Sequence, residues 1–457
     1  MSAVSDYIDA HFEDALERLR RWASQPSIST ENVGIEDMAS LAAAELRDCG
    51  FEVTVYPTTG FPIVLAIAGP KDAPALLIYN HYDVQPVGEL ADWTTPPFEP
   101  QVREGKMFGR GVADTKSNIV SRLEALNAVR AITGDLPVRV IWIIEGEEEI
   151  GSPHLDRFLA EHRDELQAVG CVWEFGSHTW EGTPNVILGL KGMLSVELEA
   201  RAAGRDLHSG LAAYVPSPVW RLVWALAELR SPDGRIHIPG FYDRVTVPTP
   251  AQEKLLDKLP DESERDRENW GLSEFLNGMK GKDVYRAGNF SPTANILGIN
   301  AGYTGAGTKT VLPHTAMAKL DIRLVPDQDP EEIFQALQAF LRDRGYTDIE
   351  VRRISGEGDL TPGISDPESP FVQTVVRALR VTGGREPVVI PSSNGSGPIG
   401  SFVLPPPRGL GLQVAAIGTG YPDTRAHGPN ENIRLDDMRR HMHGFARLLE
   451  LLAGGGR

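Results

Sequence analysis

"ALLIYNHYDVQP" occupies residues 75–86. The run Ala75 to Asn80 does not alternate between apolar and polar side chains, as a strand with one wet face would. Such a run predicts a strand buried on both faces, the habit of parallel sheets covered by helices. It ends in His81 and Asp83, which straddle Tyr82. Residues i and i+2 of a strand point to the same side, so this imidazole and carboxylate can touch. An Asp–His pair capping a sheet edge is the plain reading of that contact.

Outward from this stretch, further short apolar runs predict strands at 51–55, 63–68, 138–144, 170–173 and 412–417. A helical pattern (Ile119, Leu123, Leu126, Val129) lies between two of them, two helices open the chain, and others are expected at 369–381 and near 435–453. Buried strands alternating with helices predict an α/β domain with a mainly parallel sheet. From about 193 to 365 the strands alternate more (194–200, 293–299, 316–325), with helical patterns at 218–229 and 331–342. This reads as a smaller α+β domain inserted into the first. The expected division is a catalytic domain at 1–192 and 366–457, with an insertion at 193–365. The charged stretch 249–285 is expected to be a solvated helix or loop.

Composition narrows the function. The chain has 457 residues, 41% hydrophobic and 24% charged, as in a soluble globular protein. A net charge of −18 argues against nucleic acid and anionic membrane as partners. No apolar run reaches the ~20 residues needed to span a bilayer, and the amino terminus has no signal-peptide pattern, so a cytoplasmic location is expected. Two cysteines, Cys49 and Cys171, suffice for neither a disulfide framework nor a four-thiolate zinc site. Any metal must be held mainly by His, Asp and Glu.

Those residue types gather at predicted strand ends, where open α/β sheets bind ligands. Strand 138–144 runs into Glu145, Glu147, Glu148 and Glu149, carboxylates that repel one another unless cations sit among them. Glu174 follows strand 170–173, His427 lies in "RAHGPNEN" after 412–417, and Asp114 occupies the glycine-rich "FGRGVADTKSN". Two histidines and several carboxylates form a donor set that Zn²⁺ accepts, with Mn²⁺ or Co²⁺ as alternatives.

The runs His81–Pro86, Gly109–Lys116, Glu147–Ser152 and Ala426-His427 together resemble, in order and spacing, the dizinc metallopeptidases. That family includes aminoacylase, carnosinase-type dipeptidases, glutamate carboxypeptidase and succinyl-diaminopimelate desuccinylase. The resemblance implies two metal ions per chain: His81 and Glu174 on one, Glu149 and His427 on the other, Asp114 bridging. It makes Glu148 the general base and gives Asp83 the task of orienting His81. It also implies that His208, in "GRDLHSG", stabilises the oxyanion in a partner subunit's site, hence a homodimer through an inserted lid and dimerisation domain. By the same resemblance Arg323 binds a substrate carboxylate, Thr293 and Asn295 contact substrate or oxyanion, and Ser396 lies in a substrate-facing glycine-serine loop. The implied substrates are small peptides or N-acyl amino acids with a free carboxylate. N-acyl-amino-acid deacylase and carboxypeptidase proper are alternatives within the class, and a non-catalytic binding or scaffold protein is the alternative outside it.

Other motifs lead elsewhere. "GSGPIG" (395–400) has the letters of a dinucleotide turn, but Pro398 and the lack of a following helix oppose that reading. "GYTGAGTKT" (302–310) misses phosphate-loop spacing. His441 and His443 diverge on a helix, and His11, His154, His162, His178, His237 and His314 are given no role.

Overall fold

The computed structural model describes residues 3–354 and 359–454. Its main sheet has eight strands, ordered Glu52–Tyr56, Ile63–Ala68, Arg139–Glu145, Ala75–His81, Cys171–Trp173, Val414–Ala416, Asn185–Ile187 and Val388–Ile390. The central strands Arg139–Glu145, Ala75–His81, Cys171–Trp173 and Val414–Ala416 run parallel, as do the two at the far edge. Antiparallel pairs join Ile63–Ala68 to both its neighbours and Val414–Ala416 to Asn185–Ile187. The sheet is thus mostly parallel, as the unbroken apolar runs predict.

Both faces are buried, and the two-residue period sorts the side chains between them. Leu76, Ile78, Val140, Trp142 and Ile144 enter one core with the opening and closing helices. Leu77, Tyr79, Ile141 and Ile143 enter a second core with Phe158, Phe402 and Leu412. Helix Ser117–Thr133 is buried on nearly every side between the sheet and other helices, which explains its weak amphipathic pattern. Its buried Arg122 donates to Asn80 Oδ1 (2.8 Å) and to the carbonyls of Trp173 (2.6 Å) and Ile417 (2.8 Å). One side chain therefore ties together the ends of three strands.

A separate antiparallel sheet is ordered Thr293–Ala301, Thr315–Leu324, Gly192–Arg201, Ile349–Arg353. Leu194, Val196, Leu198 and Ala200 point into a core shared with helices Pro218–Leu229 and Pro330–Asp343. Their neighbours Ser195, Glu197 and Glu199 face the other way, leaving that face polar. The charged stretch after 249 folds as helices Pro250–Leu256, Ser263–Asn269 and Lys282–Phe290. Strand 412–417 is shorter than expected, at Val414–Ala416. No described helix is long and apolar enough to cross a membrane.

Candidate metal centre

Strands Ala75–His81 and Arg139–Glu145 end side by side, in register at His81 and Glu145. The segments leaving both strands therefore start from one edge of the sheet. Asp114 stands at the centre of the cluster. Its Oδ1 lies 3.1 Å from His81 Nε2 and its Oδ2 lies 2.9 Å from His427 Nε2. Glu174 Oε2 is 3.3 Å from the same His81 nitrogen, and Glu149 Oε2 is 3.4 Å from His427 Nε2. The five residues expected as ligands thus meet, two on each side of one carboxylate. One donor atom each from His81, Asp114 and Glu149 lies within 4.8 Å of the others.

The electrostatics are those of a site built around positive charge. Burial pushes the Glu148 carboxyl well above its ordinary value and raises Glu174. Burial, with Asp114 beside it, pushes Glu149 up to about 8. Hydrogen bonding to Asp114 raises His427 to about 9; at His81, burial opposes protonation but the adjacent carboxylates of Asp114, Asp83 and Glu174 prevail and raise it. Buried Glu149 Oε1 and Glu174 Oε2 have no hydrogen-bond partner. Orphaned carboxylate oxygens beside imidazole nitrogens fit divalent metal, since a buried anion needs a cation or a donor.

The four clustered glutamates separate in space. Glu145 turns beneath the sheet end and accepts from Tyr79 Oη (2.5 Å) and Ser152 Oγ (2.8 Å). Glu147 faces away, with Oε2 2.6 Å from His154 Nδ1, while His154 Nε2 lies 2.6 Å from Thr59 Oγ1. Glu148 has His81, Glu174, Glu149 and Asp114 as charged neighbours. A histidine without an expected role therefore holds the one neighbouring carboxylate that a register slip would have drawn into the centre.

Asp83 is buried, and its carboxylate does more than face His81. It accepts from the backbone amides of Glu148 (3.2 Å) and Glu149 (3.0 Å), fixing the turn that carries both. His81 Nδ1 lies 3.0 Å from the Asp83 carbonyl and 3.4 Å from its Oδ1. The nearer partner is therefore the main chain, although either contact directs Nε2 toward Asp114.

Sequence reading missed Glu431. Fully buried, it accepts from the amides of Gly111 (2.9 Å), Ala113 (2.8 Å) and Asp114 (3.0 Å) and from Arg110 Nη1 (2.7 Å). Arg110 also donates to the carbonyls of Pro86 (2.9 Å) and His427 (3.2 Å). This pair holds three of the motif segments in place. The signal was an arginine inside the glycine-rich turn and an acid four residues after His427, each unremarkable without the other.

The remaining candidates lie on the second sheet and beside it. Thr293, Arg323 and Met193 are in register across three strands. Arg323 Nε donates to Asp321 Oδ2 (2.8 Å) and Nη1 to Ser396 Oγ (2.8 Å). Asn295 Nδ2 donates to Asp321 Oδ1 (3.0 Å) and Thr293 Oγ1 (3.2 Å). These five residues form one connected group. A side chain at Gly397, next to Ser396, would begin 3.6 Å from Glu148 Oε1, so the 395–400 loop comes up to Glu148. His208 is exposed on the short strand Leu207–His208, where its Nδ1 accepts from Gly210 N (3.0 Å).

Residues 77–451 match the family model described as Peptidase family M20/M25/M40. The Beta-Ala-His dipeptidase of Rattus norvegicus is 28% identical over 85% of this chain and 84% of its own. The Cys-Gly metallodipeptidase dug1 of Schizosaccharomyces pombe is 27% identical over 99% of this chain and 98% of its own. Among solved structures, the M20 family metallo-carboxypeptidase Sso-CP2 of Sulfolobus solfataricus superposes with a TM-score of 0.90 at 34% identity, covering 96% of this chain and 99% of that one. Human carnosine dipeptidase 1 gives 0.82 at 26% identity, covering 99% of each.

Proposed function

From the premise that the chain belongs to peptidase family M20/M25/M40, whose members are metal-dependent, we propose that it hydrolyses the amide bond of small peptides, dipeptides foremost, that end in a free carboxylate. The observation that carries this is the arrangement His81–Asp114–His427 with Glu174 and Glu149 outside it. His81 and Glu174 would hold one divalent metal and Glu149 and His427 a second, with Asp114 shared; the donors suit Zn²⁺, and Mn²⁺ or Co²⁺ also. When bound, the metal pair supplies Lewis acidity that polarises the scissile carbonyl and acidifies the attacking water.

Glu148 takes one proton from that water as its oxygen bonds to the carbonyl carbon, then delivers it to the nitrogen as the C–N bond breaks. Asp83 keeps Glu148 and Glu149 in their turn through the two amide bonds. Arg323, presented beside Ser396, binds the carboxylate on the leaving-amine side. The same residues serve an N-acyl amino acid deacylase or a carboxypeptidase, and the likeness to Sso-CP2 favours the latter as second reading. A scaffold role fits poorly, since a decayed site has no reason to keep five donors and the Glu148 carboxylate together.

The proposal includes residues 193–365 as an inserted lid and dimerisation domain. Its edge strand Thr293–Ala301 exposes Ile296, Leu297 and Ile299, and helix Pro218–Leu229 exposes the stacked Trp220 and Trp224. Such apolar surface supports a homodimer, in which His208 would serve the partner's oxyanion. A cytoplasmic location and a lack of nucleic-acid or membrane partners remain parts of this proposal, consistent with the charge of −18.

The test is a matched panel with metal-loaded protein: one dipeptide, its N-acetyl form and its carboxamide. Hydrolysis of the first, abolished by Glu148→Gln with bound metal retained, is the expected result. No turnover of any amide, or full activity in Glu148→Gln, refutes the reading.

A further inference from the structure

Lys191 has no role in the proposed hydrolysis, yet it lies two residues before Met193, the register partner of Arg323. Its Nζ reaches the carbonyl of Ser291, two residues before Thr293, the register partner of Arg323 on the opposite side. Lys191 is 4% exposed, and its Nζ donates to the Ser291 carbonyl at 2.7 Å. Among the described residues, no carboxylate stands within ion-pair distance of it. Asp321 is committed to Arg323 through one oxygen and to Asn295 through the other. Arg230 Nη1 also reaches this group, at 3.4 Å from Asn295 Oδ1, so the cations in this corner outnumber its one carboxylate. A buried cation without a counter-ion is costly, and burial, with Arg323 nearby, pulls Lys191 down to about 8.

The corner adjoins the chemistry. The Lys191 amide donates to the Gly395 carbonyl at 3.0 Å, and Lys191 bridges Ser396, whose hydroxyl receives Arg323 Nη1. Gly397 then reaches Glu148. An anionic group placed here would offset surplus positive charge and lie one short loop from the general base.

We propose that Lys191 is a second substrate-binding cation, which with Arg323 and Ser396 receives the terminal carboxylate of the substrate and sets the preference for a free acid over its amide. The inference rests on the proposed hydrolase function. Its structural alternative is that Lys191 only clamps Ser291, in which case the substrate's terminus is irrelevant to its loss.

Two measurements separate these. In metal-loaded protein, Lys191→Met should raise KM for Ala-Ala roughly tenfold or more, with kcat within about threefold, and leave Ala-Ala amide unchanged; Lys191→Arg should recover most of the loss. Equal losses on acid and amide, or none on either, overturn the proposal. Calorimetry in a Glu148→Gln background reads affinity without turnover: Ala-Ala should bind more tightly than its amide, and adding Lys191→Met should erase the difference. A difference that survives the second substitution, or none in the Glu148→Gln protein, refutes the role of Lys191. A wild type that hydrolyses neither ligand while showing the Lys191-dependent preference would instead remove the hydrolase reading and leave this one standing.

Discussion

Glu431→Gln should weaken both the fold and the metal centre, although Glu431 is no expected ligand. The substitution keeps the shape but replaces one acceptor oxygen with an NH₂ donor. Every contact of that carboxylate is a donor: three amides and the Arg110 guanidinium, all within 3.0 Å. At least one amide then faces another donor, and Arg110, 1% exposed, loses its counter-charge. Removing one partner of a buried ion pair costs about 3–5 kcal/mol. Arg110 keeps its carbonyl contacts to Pro86 and His427, so the lower end, about 3 kcal/mol, is expected. Whichever way the new amide turns, a backbone donor of this turn loses its acceptor, Gly111 N on one side or Ala113 N and Asp114 N on the other, so the Gly111–Asp114 turn should shift, with metal affinity falling about 10–100-fold. Urea unfolding of the metal-free protein reads the first quantity, and competition with a chromogenic zinc chelator reads the second. Arg110→Met combined with Glu431→Gln should cost less than the sum of the two single changes. A loss under about 1 kcal/mol with unchanged metal affinity would refute the claim that this pair organises the centre.

Chelation should lower the midpoint of thermal unfolding and Zn²⁺ should restore it, since a ligand at 100 times its Kd stabilises by about 2.7 kcal/mol; an unmoved midpoint with no metal in the purified protein would contradict the site. His178 is buried, with Asp437, Arg434, Arg440 and His441 as its charged or titratable neighbours, and burial pulls it down to about 4. Its folded pKa lies below the unfolded ~6.5, so the unfolded chain binds the extra proton between these values and stability falls as pH drops through that window. His178→Asn should remove about 2 kcal/mol of the stability difference between pH 7.5 and pH 5, read by urea unfolding; an unchanged pH slope would count against it. Mixing inactive His208→Ala and Glu148→Gln proteins should restore part of the activity through hybrid dimers, and none returning despite demonstrated subunit exchange would place the whole site in one chain.

The sequence by itself determined the elements and the chemistry class. Unbroken apolar runs such as Ala75–Asn80 can satisfy themselves only in a sheet covered on both faces, and period-two alternation in 194–200 can do so only with one polar face. Polar residues directly after such runs must lie at the sheet edge, which made His81, Glu148, Glu149 and Glu174 legible as one cluster. Their neighbours were not legible. Glu147 and Glu148 are adjacent and chemically alike, and only the positions of His154 and Thr59 decide which turns away. Arg110 meets Glu431, and Lys191 lies near Arg323, across long stretches of chain whose local pattern contains no trace of the partner. The antiparallel strands within the main sheet were hidden for the same reason: strand direction is a property of connections, and a buried run reads identically in either sense. Periodicity reports which face a residue buries; the chain's return path decides what it meets there.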